Sequence, residues 1–374
     1  MDHQLKAAVI GCGIVTTRDI LPNLQRPEVR PRLAVQAVCD VVAERAALTA
    51  ERFGVPEHYS DYHDLLARAD VDVVLVATTI PTHAPIAIAA AAAGKHVYVQ
   101  KTMTVTVAEA DELIATARAN GVKIVASPGQ HLRPDLGPHL AAVRDLLADG
   151  TIGRVCWGTA QGGMRHEDEG ARFAGDDPLT NVDPSWYYQP GGGPLRDVSV
   201  YNLHTLTWLL GPVRRVTAFS GIAVPVREFK GRRIQVAMDD NTAAVLDFGN
   251  NTFVLLQAQT VSYAHAPALE LGTEQGSIVF ERGGYRVYAR TDEIGTWGRG
   301  ERVIAEGAPI PRPPGDEHNY GLHILADIMH LVDCIVENRT PTASAEHARH
   351  VIEIIERIYE SARTGQALEL TTAF

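Results

Sequence analysis

Cysteine is scarce in this sequence. The 374 residues include only four cysteines, and their spacing matches neither a disulfide framework nor a zinc site. We therefore expect reduced, mostly buried thiols, no metal ion and a reducing compartment, the cytoplasm. The four positions are Cys12, Cys39, Cys156 and Cys334.

Long apolar runs and an excess of basic charge are also missing. The longest apolar stretches, Val71–Ala77 and Ile86–Ala93, are too short to span a bilayer. We expect no secretory signal, because the N-terminal residues lack a charged n-region followed by an apolar h-region. The formal net charge of -11 disfavours binding to phosphate backbones and to anionic lipid. We expect a cytoplasmic protein with a small-molecule partner and with neither a nucleic-acid nor a membrane partner.

The first 128 residues alternate short apolar runs with helix-like segments. The apolar runs, from Ala7–Ile10 to Lys123–Ala126, are separated by segments such as Val107–Asn120. Gly94 and Gly121 stand where helix C-caps are expected. Near-continuous apolar strands separated by helices are typical of a parallel sheet covered on both faces. The pattern predicts an α/β fold with a first domain over residues 1–128.

Residues 129–374 follow a different pattern. Strand-like runs such as Thr242–Phe248 and Thr252–Gln259 are joined by short turns, which is typical of antiparallel hairpins. Two helices close the chain, and the long segment Gly162–Pro190 is typical of a functional loop. We therefore expect a C-terminal α/β domain with a large, mainly antiparallel open sheet. We also expect the closing helices, residues 343–364, to pack back on the first domain.

A glycine turn follows the first predicted strand. Gly11 and Gly13 precede a helix-like segment, so backbone N–H groups there can approach a pyrophosphate; Thr16 stands where a third glycine is usual. Asp40 ends the second strand, where its carboxylate can bind both ribose hydroxyls and repel a 2′-phosphate. It can also cap the next helix. The spacing predicts a Rossmann domain that prefers NAD to NADP.

Several motifs together resemble the Gfo/Idh/MocA oxidoreductase family, which includes glucose–fructose oxidoreductase and inositol dehydrogenase. They are Gly11-x-Gly13, the Val76-Ala77-Thr78 run with His83, Gly94-Lys95-His96-Val97, the Lys101 motif, and Gly191-Gly192-Gly193 with Asp197. The resemblance spans the whole chain and implies an NAD-binding Rossmann domain followed by an α/β domain. The open sheet of that second domain commonly forms a subunit interface, so a homodimer or homotetramer is implied. The cofactor-binding positions expected are Gly11, Gly13, Ile14, Asp40, Thr78, His83, Gln100 and Lys101.

Lys101 is the position that the resemblance links most directly to chemistry. In the family this lysine lies beside the nicotinamide and polarises the reacting oxygen, where an ammonium stabilises a developing alkoxide. The family sequence Glu-Lys-Pro reads Gln100-Lys101-Thr102 here. Loss of the glutamate removes a negative partner of Lys101, and loss of the proline can alter the backbone. An exposed loop lysine without a catalytic role is the alternative interpretation.

A second group of candidate catalytic residues follows the glycine triplet. Asp197 and Tyr201 are four residues apart and would share one helix face; Tyr201 stands where inositol dehydrogenase-like members have histidine. We expect Tyr201 to act as the general acid–base with help from Lys101, Asp197 to orient the substrate or the base, and His204 to pass the proton to water. Structural alternatives stay open for all three residues: a core aromatic, a helix cap and a packed histidine.

Candidate substrate-binding residues lie at two further places. Polar residues follow the strand Lys123–Ala126, and ligands bind beyond the carboxyl ends of parallel strands. Aromatic residues before the glycine triplet can stack on a sugar ring. The acidic loop around His166 lacks the ligand spacing of a metal site, so no metal is expected there. The candidates are Gln130, His131, Arg133, Trp186 and Tyr188.

The favoured function is NAD-dependent hydride transfer between nicotinamide and a secondary alcohol or ketone of a sugar, sugar derivative or cyclic polyol. Two alternatives stay open from the sequence. One is an NAD-dependent glycosidase that oxidises C3 transiently and then eliminates the leaving group. The other is a non-catalytic NAD-binding sensor, against which the joint retention of Lys101, Asp197 and Tyr201 argues.

Overall fold

The structure contains two large β-sheets with helices packed against them. The computed structural model describes residues 4–129, 131, 137–164, 177–179, 183–261, 269–281, 284–295, 298–308 and 321–374. In these ranges no helix is both long and apolar enough to cross a membrane. All four cysteines are free; three are buried and Cys156 is partly exposed.

The first sheet has six parallel strands in the order β3-β2-β1-β4-β5-β6. Its strands are β1 (Leu5–Ile10), β2 (Leu33–Cys39), β3 (Glu57–Tyr59), β4 (Val73–Val76), β5 (His96–Val99) and β6 (Ile124–Ala126). The central strand β4 is buried along its whole length, as expected for a sheet covered on both faces. Strand order reverses between β1 and β4, and ligands of doubly wound sheets bind at such a switch point. The predicted Rossmann sheet is thus confirmed, with β3 as an additional edge strand.

Helices connect the strands of this sheet. They are α1 (Leu21–Leu24), α2 (Ala43–Phe53), α3 (Tyr62–Arg68), α4 (Ile80–Ala92) and α5 (Val107–Ala119), with a π-helical turn at Val15–Ile20 before α1. α2 ends at Gly54, whose φ of 62° is the left-handed conformation of a C-cap. α5 begins with a capping box between Thr106 and Glu109.

The second sheet has nine strands in the order β16-β15-β14-β13-β7-β12-β11-β8-β17. It is mainly antiparallel, as predicted, although β7 and β12 pair in parallel. A separate two-stranded hairpin pairs β9 with β10. The strands are β7 (Val155–Gly163), β8 (Arg215–Gly221), β9 (Val226–Phe229), β10 (Arg232–Gln235), β11 (Asn241–Asp247), β12 (Phe253–Gln259), β13 (Leu269–Thr273), β14 (Gly276–Glu281), β15 (Gly284–Gly295), β16 (Gly298–Gly307) and β17 (Leu368–Glu369).

One face of the second sheet is covered by helices and the other is open. From Phe253 to Ala258 of β12, exposed residues alternate with buried ones, which is the pattern of a sheet with one solvated face. The helices of this half are α6 (Gly137–Ala148), α7 (Pro194–Asp197), α8 (Val200–Leu210), α9 (Leu322–Val336) and α10 (Ala345–Thr364), with a 3₁₀ turn at Pro184–Tyr188.

Both closing helices pack on the first sheet, and the second of them also packs on the second sheet. Ile328 and Leu331 of α9 lie in the same apolar cluster as residues of β1 and β4. Ile352 of α10 packs with the other face of the first sheet, while Ile355 packs with the second sheet. α10 therefore packs against both sheets.

Candidate active site

The turn after β1 requires glycine. Gly11 has a φ of 98°, and a Cβ there would lie 2.5 Å from the carbonyl oxygen of Ala77 at the end of β4. Gly13 faces open space, with nothing within 4 Å of a Cβ placed on it. Thr16 takes the place of the third glycine and donates its hydroxyl to the Gly11 carbonyl at 2.5 Å. The turn is therefore held close to β4 while Gly13 stays open to a ligand.

Asp40 lies at the end of β2 and contacts this turn. The backbone N–H of Cys12 donates to one carboxylate oxygen at 2.9 Å, and the N–H of Val42 donates to the other at 2.9 Å. Arg45 of α2 lies 3.2 Å from the same carboxylate. Sequence reasoning missed Arg45 because it searched only the residues directly after Asp40, whereas Arg45 reaches it from the following helix.

A cleft of about 570 Å³ opens between the turn, Asp40 and the end of β4. A ligand cavity of this size is in the range of small-molecule and cofactor sites. Five predicted cofactor positions line it: Gly11, Gly13, Ile14, Asp40 and Thr78. Arg45 and Trp186 also line it, so Trp186, predicted as a substrate residue, lies on the wall of the same cleft as the predicted cofactor residues.

His83 is buried below the cleft and braces two loops. Its Nδ1 lies 2.8 Å from the carbonyl oxygen of Thr102, and its Nε2 lies 3.0 Å from that of Thr78. Burial lowers the pKa of the ring, because desolvation disfavours the charged form. His83 therefore ties the end of β4 to the Lys101 loop.

The two replaced positions beside Lys101 have defined contacts. Gln100 is buried, accepts a hydrogen bond from the Lys101 N–H at 3.1 Å and donates one to the hydroxyl of Tyr98 at 3.0 Å. The Thr102 hydroxyl donates to the carbonyl of Arg196 at 2.6 Å, and the Lys101–Thr102 peptide is cis. Thr102 thus ties the Lys101 loop to the helix that carries Asp197.

Lys101, Asp197 and Tyr201 come together. Lys101 follows β5 and its ammonium forms an ion pair with Asp197, both side chains being largely buried. The same ammonium lies 5.5 Å from the centre of the Tyr201 ring, within the range of a cation–π contact. The helix predicted through Asp197 and Tyr201 is interrupted, since α7 ends at Asp197 and α8 begins at Val200. The two side chains nevertheless meet around Lys101.

The glycine triplet before α7 allows close approaches to neighbouring segments. A Cβ on Gly192 would lie 2.3 Å from the carbonyl oxygen of Tyr187, and one on Gly191 would lie 2.7 Å from the ring of Pro81 in α4. Gly191 therefore marks a point where the two halves of the chain touch, and a side chain there would force them apart.

His204 lies in a different environment from the other catalytic candidates. Its ring is buried and makes an edge contact with His347, the ring centres being 4.8 Å apart. Burial, with a further contribution from His347, holds the pKa of His204 well below its ordinary value. His131 belongs to the same region: it stacks on Trp208 at 4.2 Å, and burial lowers its pKa to about 4.

Tyr188 and the remaining substrate candidates have different outcomes. Tyr188 is fully buried, and its ring packs in an apolar cluster beside Arg227. It therefore supports the wall of the second domain and offers no open face for a sugar ring. Gln130 and Arg133 lie outside the described residues.

His323 is a residue that sequence reasoning missed. It lies in the first turn of α9, and its Nε2 is 3.1 Å from the hydroxyl oxygen of Tyr201, 122 positions away in the chain. The only sequence signal was a histidine at the start of a predicted helix. Among the described residues, no group of three or more histidine, cysteine or carboxylate side chains could hold a metal ion.

Comparison with known families agrees with this geometry over both halves. Residues 5–127 match the oxidoreductase family with an NAD-binding Rossmann fold, and residues 140–279 match the GFO/IDH/MocA C-terminal domain. The chain belongs to the Gfo/Idh/MocA oxidoreductase family. The resemblance inferred from the motifs is confirmed, and with it an NAD-binding first domain and a dehydrogenase that acts on CH–OH groups.

Similar proteins within the Gfo/Idh/MocA family are dehydrogenases. Trans-1,2-dihydrobenzene-1,2-diol dehydrogenase of Mus musculus is 25% identical, over 94% of this chain and 95% of its own length. D-apiose dehydrogenase of Rhizobium rhizogenes is 23% identical, over 98% of both chains. The structure of levoglucosan dehydrogenase with NADH and levoglucosan superposes with a TM-score of 0.79 at 23% identity, covering 99% of this chain and 100% of that one.

Proposed function

We propose that this chain transfers hydride between NAD(H) and a secondary alcohol or ketone of a sugar, sugar derivative or cyclic polyol. The observation that carries the proposal is the grouping of Lys101, Asp197 and Tyr201. It forms where β5 ends, at the same sheet edge as the nucleotide cleft. Relatives named for D-apiose, levoglucosan and a dihydrobenzenediol favour the same substrate class.

The cleft fits a nicotinamide dinucleotide. Gly11 and Gly13 leave the backbone of the turn accessible, and Asp40 places a carboxylate on the cleft wall. When bound, the cofactor supplies the hydride acceptor or donor. A carboxylate at the adenosine ribose accepts from its hydroxyls and repels a 2′-phosphate, so Asp40 favours NAD. Arg45, paired with Asp40, adds a counter-charge that would favour NADP if the carboxylate were removed.

The chain's own residues supply the proton chemistry. Alcohol oxidation needs a base on the hydroxyl and a positive group for the charge that develops on oxygen. Lys101 provides the positive charge, and Asp197 holds its ammonium in place. Tyr201 is the proton acceptor, and a cation near its ring stabilises the negative charge that develops on the phenol oxygen as its own proton leaves.

A spectrophotometric screen tests the function. Purified protein is incubated with sugars, sugar acids and inositols, and NAD and NADP are compared in parallel by the absorbance of the reduced cofactor. We expect net NADH formation with a polyol and none with Lys101→Met, a substitution that keeps a side chain of similar length without its charge. Cleavage of a glycoside without net NADH would identify a glycosidase instead. NAD binding without turnover of any compound would identify a sensor.

The open face of the second sheet supports a second part of the proposal, a subunit interface. Trp157 of β7 and Phe253 of β12 are register neighbours and are 46% and 41% exposed. Leu255 and Phe219, on strands of the same sheet, are 56% and 85% exposed. A cluster of large apolar side chains on one face marks an interaction surface. A second copy of this chain, giving a dimer or tetramer, is the occupant that we propose.

A further inference from the structure

The contact between Tyr201 and His323 joins the catalytic group to the last third of the chain. The Tyr201 hydroxyl oxygen and His323 Nε2 are 3.1 Å apart, and the rings meet edge to face with centres 5.8 Å apart. Lys101 approaches the face of the same tyrosine ring. The phenol therefore has a cation at its face and an imidazole nitrogen at its hydroxyl.

The position of His323 is fixed on both sides. Gly321, just before α9, lies so close to the first domain that a Cβ there would be 2.5 Å from the Cβ of Asp19. Asp327, one turn after His323, is buried and accepts hydrogen bonds from the Gly129 N–H at 3.1 and 3.2 Å. The first turn of α9 is thus held against the first sheet, so its histidine presents a defined nitrogen to Tyr201.

His323 also has the exposure that a proton relay needs. The side chain is half-buried, so it reaches both the tyrosine and solvent. His204, the residue chosen from the sequence, is buried against His347. Burial among other histidines opposes a positive charge there. The two histidines therefore differ in their ability to carry a proton outward.

We propose that His323 acts through Tyr201: it accepts the phenolic proton of Tyr201 during substrate oxidation and releases it to water. This inference rests on the proposed function. As the alcohol proton moves to the Tyr201 oxygen, the phenolic proton moves to His323 Nε2. The imidazolium then loses one proton to solvent. The carbinol carbon would give up its hydride to a bound nicotinamide, and the carbonyl product would keep both electrons of the broken O–H bond. In the reducing direction each transfer is reversed.

The relay requires a particular tautomer and operates among several charged groups. Nε2 must be unprotonated to accept, so neutral His323 must have its proton on Nδ1. Tyr201 lies within electrostatic range of Tyr98. Tyr98 in turn lies within range of the buried carboxylates of Asp19 and Asp327. Among the described residues, the titratable groups on the elements packed around this contact include Lys101, Asp197, Tyr201, Tyr98, Asp19 and Asp327.

The first test compares pH–rate profiles of the full-length enzyme with its polyol substrate. His323→Gln keeps a hydrogen-bonding group but cannot take a proton. We expect it to lower kcat roughly tenfold or more near neutral pH, to move the acid limb of the kcat profile to higher pH, and to leave KM and NAD affinity nearly unchanged. His323→Ala should recover activity with added imidazole. His58→Gln, an exposed histidine on β3, is the control and should behave as wild type.

An active wild type whose pH profile is unchanged in His323→Gln would overturn the relay and leave the proposed function standing. So would loss of activity in His204→Ala together with full activity in His323→Gln. A second measurement does not depend on turnover: ¹⁵N spectra of histidine-labelled protein report the tautomer of His323. We expect the Nδ1–H form and a changed titration of this ring in Tyr201→Phe. The Nε2–H form would refute the relay even if no substrate is found.

Discussion

The buried histidine cluster formed by His204, His347 and His350 should make stability strongly dependent on pH. Burial lowers the pKa of His347 to about 3 and that of His350 to about 4, from an ordinary 6.5. The folded state therefore keeps these rings neutral, while the unfolded chain protonates them below pH 6.5. The unfolded state binds more protons in that range. The contribution of these neutral rings to the free energy of unfolding is therefore fully present above about pH 7 and is lost as the pH falls toward 4.

Protonation of the histidines in the unfolded chain sets the size of the effect. In the folded protein their pKa values lie below the pH range of the measurement, so the rings stay neutral throughout it. Between about pH 7 and pH 5.5, each histidine that stays neutral in the fold costs about 1 kcal/mol of the free energy of unfolding. His204, His347 and His350 together should cost about 3–4 kcal/mol. That is a large share of a typical total of roughly 5–15 kcal/mol. Carboxylates contribute little in this window, since their ordinary pKa values are near 4.

The contacts of His350 explain why the fold cannot accommodate a protonated ring at this position. Its Nε2 accepts a hydrogen bond from the Val213 N–H at 3.0 Å, and its Nδ1 lies 2.8 Å from the Thr372 hydroxyl. A proton on Nε2 would break the first bond and leave a buried N–H without its acceptor. His347 Nε2 lies 2.7 Å from the Thr207 hydroxyl, and its ring stacks on Phe374 at 4.2 Å. Acid therefore loosens α8, α10 and the C-terminal residues together.

Urea unfolding at the two pH values, followed by tryptophan fluorescence, measures the difference. His347→Gln removes one titrating ring and should reduce the pH difference by about 1 kcal/mol, even if the variant is less stable overall. His58→Gln, on the surface of β3, should leave the difference unchanged. Equal stability of the wild type at both pH values would refute the reasoning. A pH difference of full size in His347→Gln would also contradict it.

Three further predictions concern the cofactor, the chemistry and the interface. Lys101→Ala and Tyr201→Phe should each lower kcat by roughly 10²-fold or more, with NAD affinity by fluorescence titration nearly unchanged; near-full turnover in either would remove that residue from the mechanism. Asp40→Ala should raise the affinity for NADP(H) and so narrow the preference for NAD(H). Adding Arg45→Ala should abolish that gain in NADP(H) affinity. An unmodified protein that prefers NADP in the same titration would contradict the assignment. Phe219→Glu should shift light scattering from an oligomer toward the 40.5 kDa chain, whereas a wild type that scatters only as 40.5 kDa across micromolar concentrations ends the interface proposal.

The sequence alone was sufficient for the features that depend on local pattern. The Rossmann domain could be predicted because its strands are short apolar runs and Gly11 and Gly13 follow the first of them. Lys101 and Asp197 could be named because each stands in a motif with recognisable neighbours. Glu57–Tyr59 and Gly298–Gly307 were missed as strands, since short or polar edge segments lack an apolar signal and are defined by their partners.

Only the tertiary structure decided which histidine meets Tyr201. His204 was favoured because helix spacing places it one turn from Tyr201, and spacing reports faces within a single helix. His323 is 122 positions from Tyr201, and its approach depends on how α9 packs against the first domain at Gly321. Likewise, Trp186 reaches the nucleotide cleft and Tyr188 does not. Contacts of this kind depend on packing between distant segments, which local sequence periodicity does not encode.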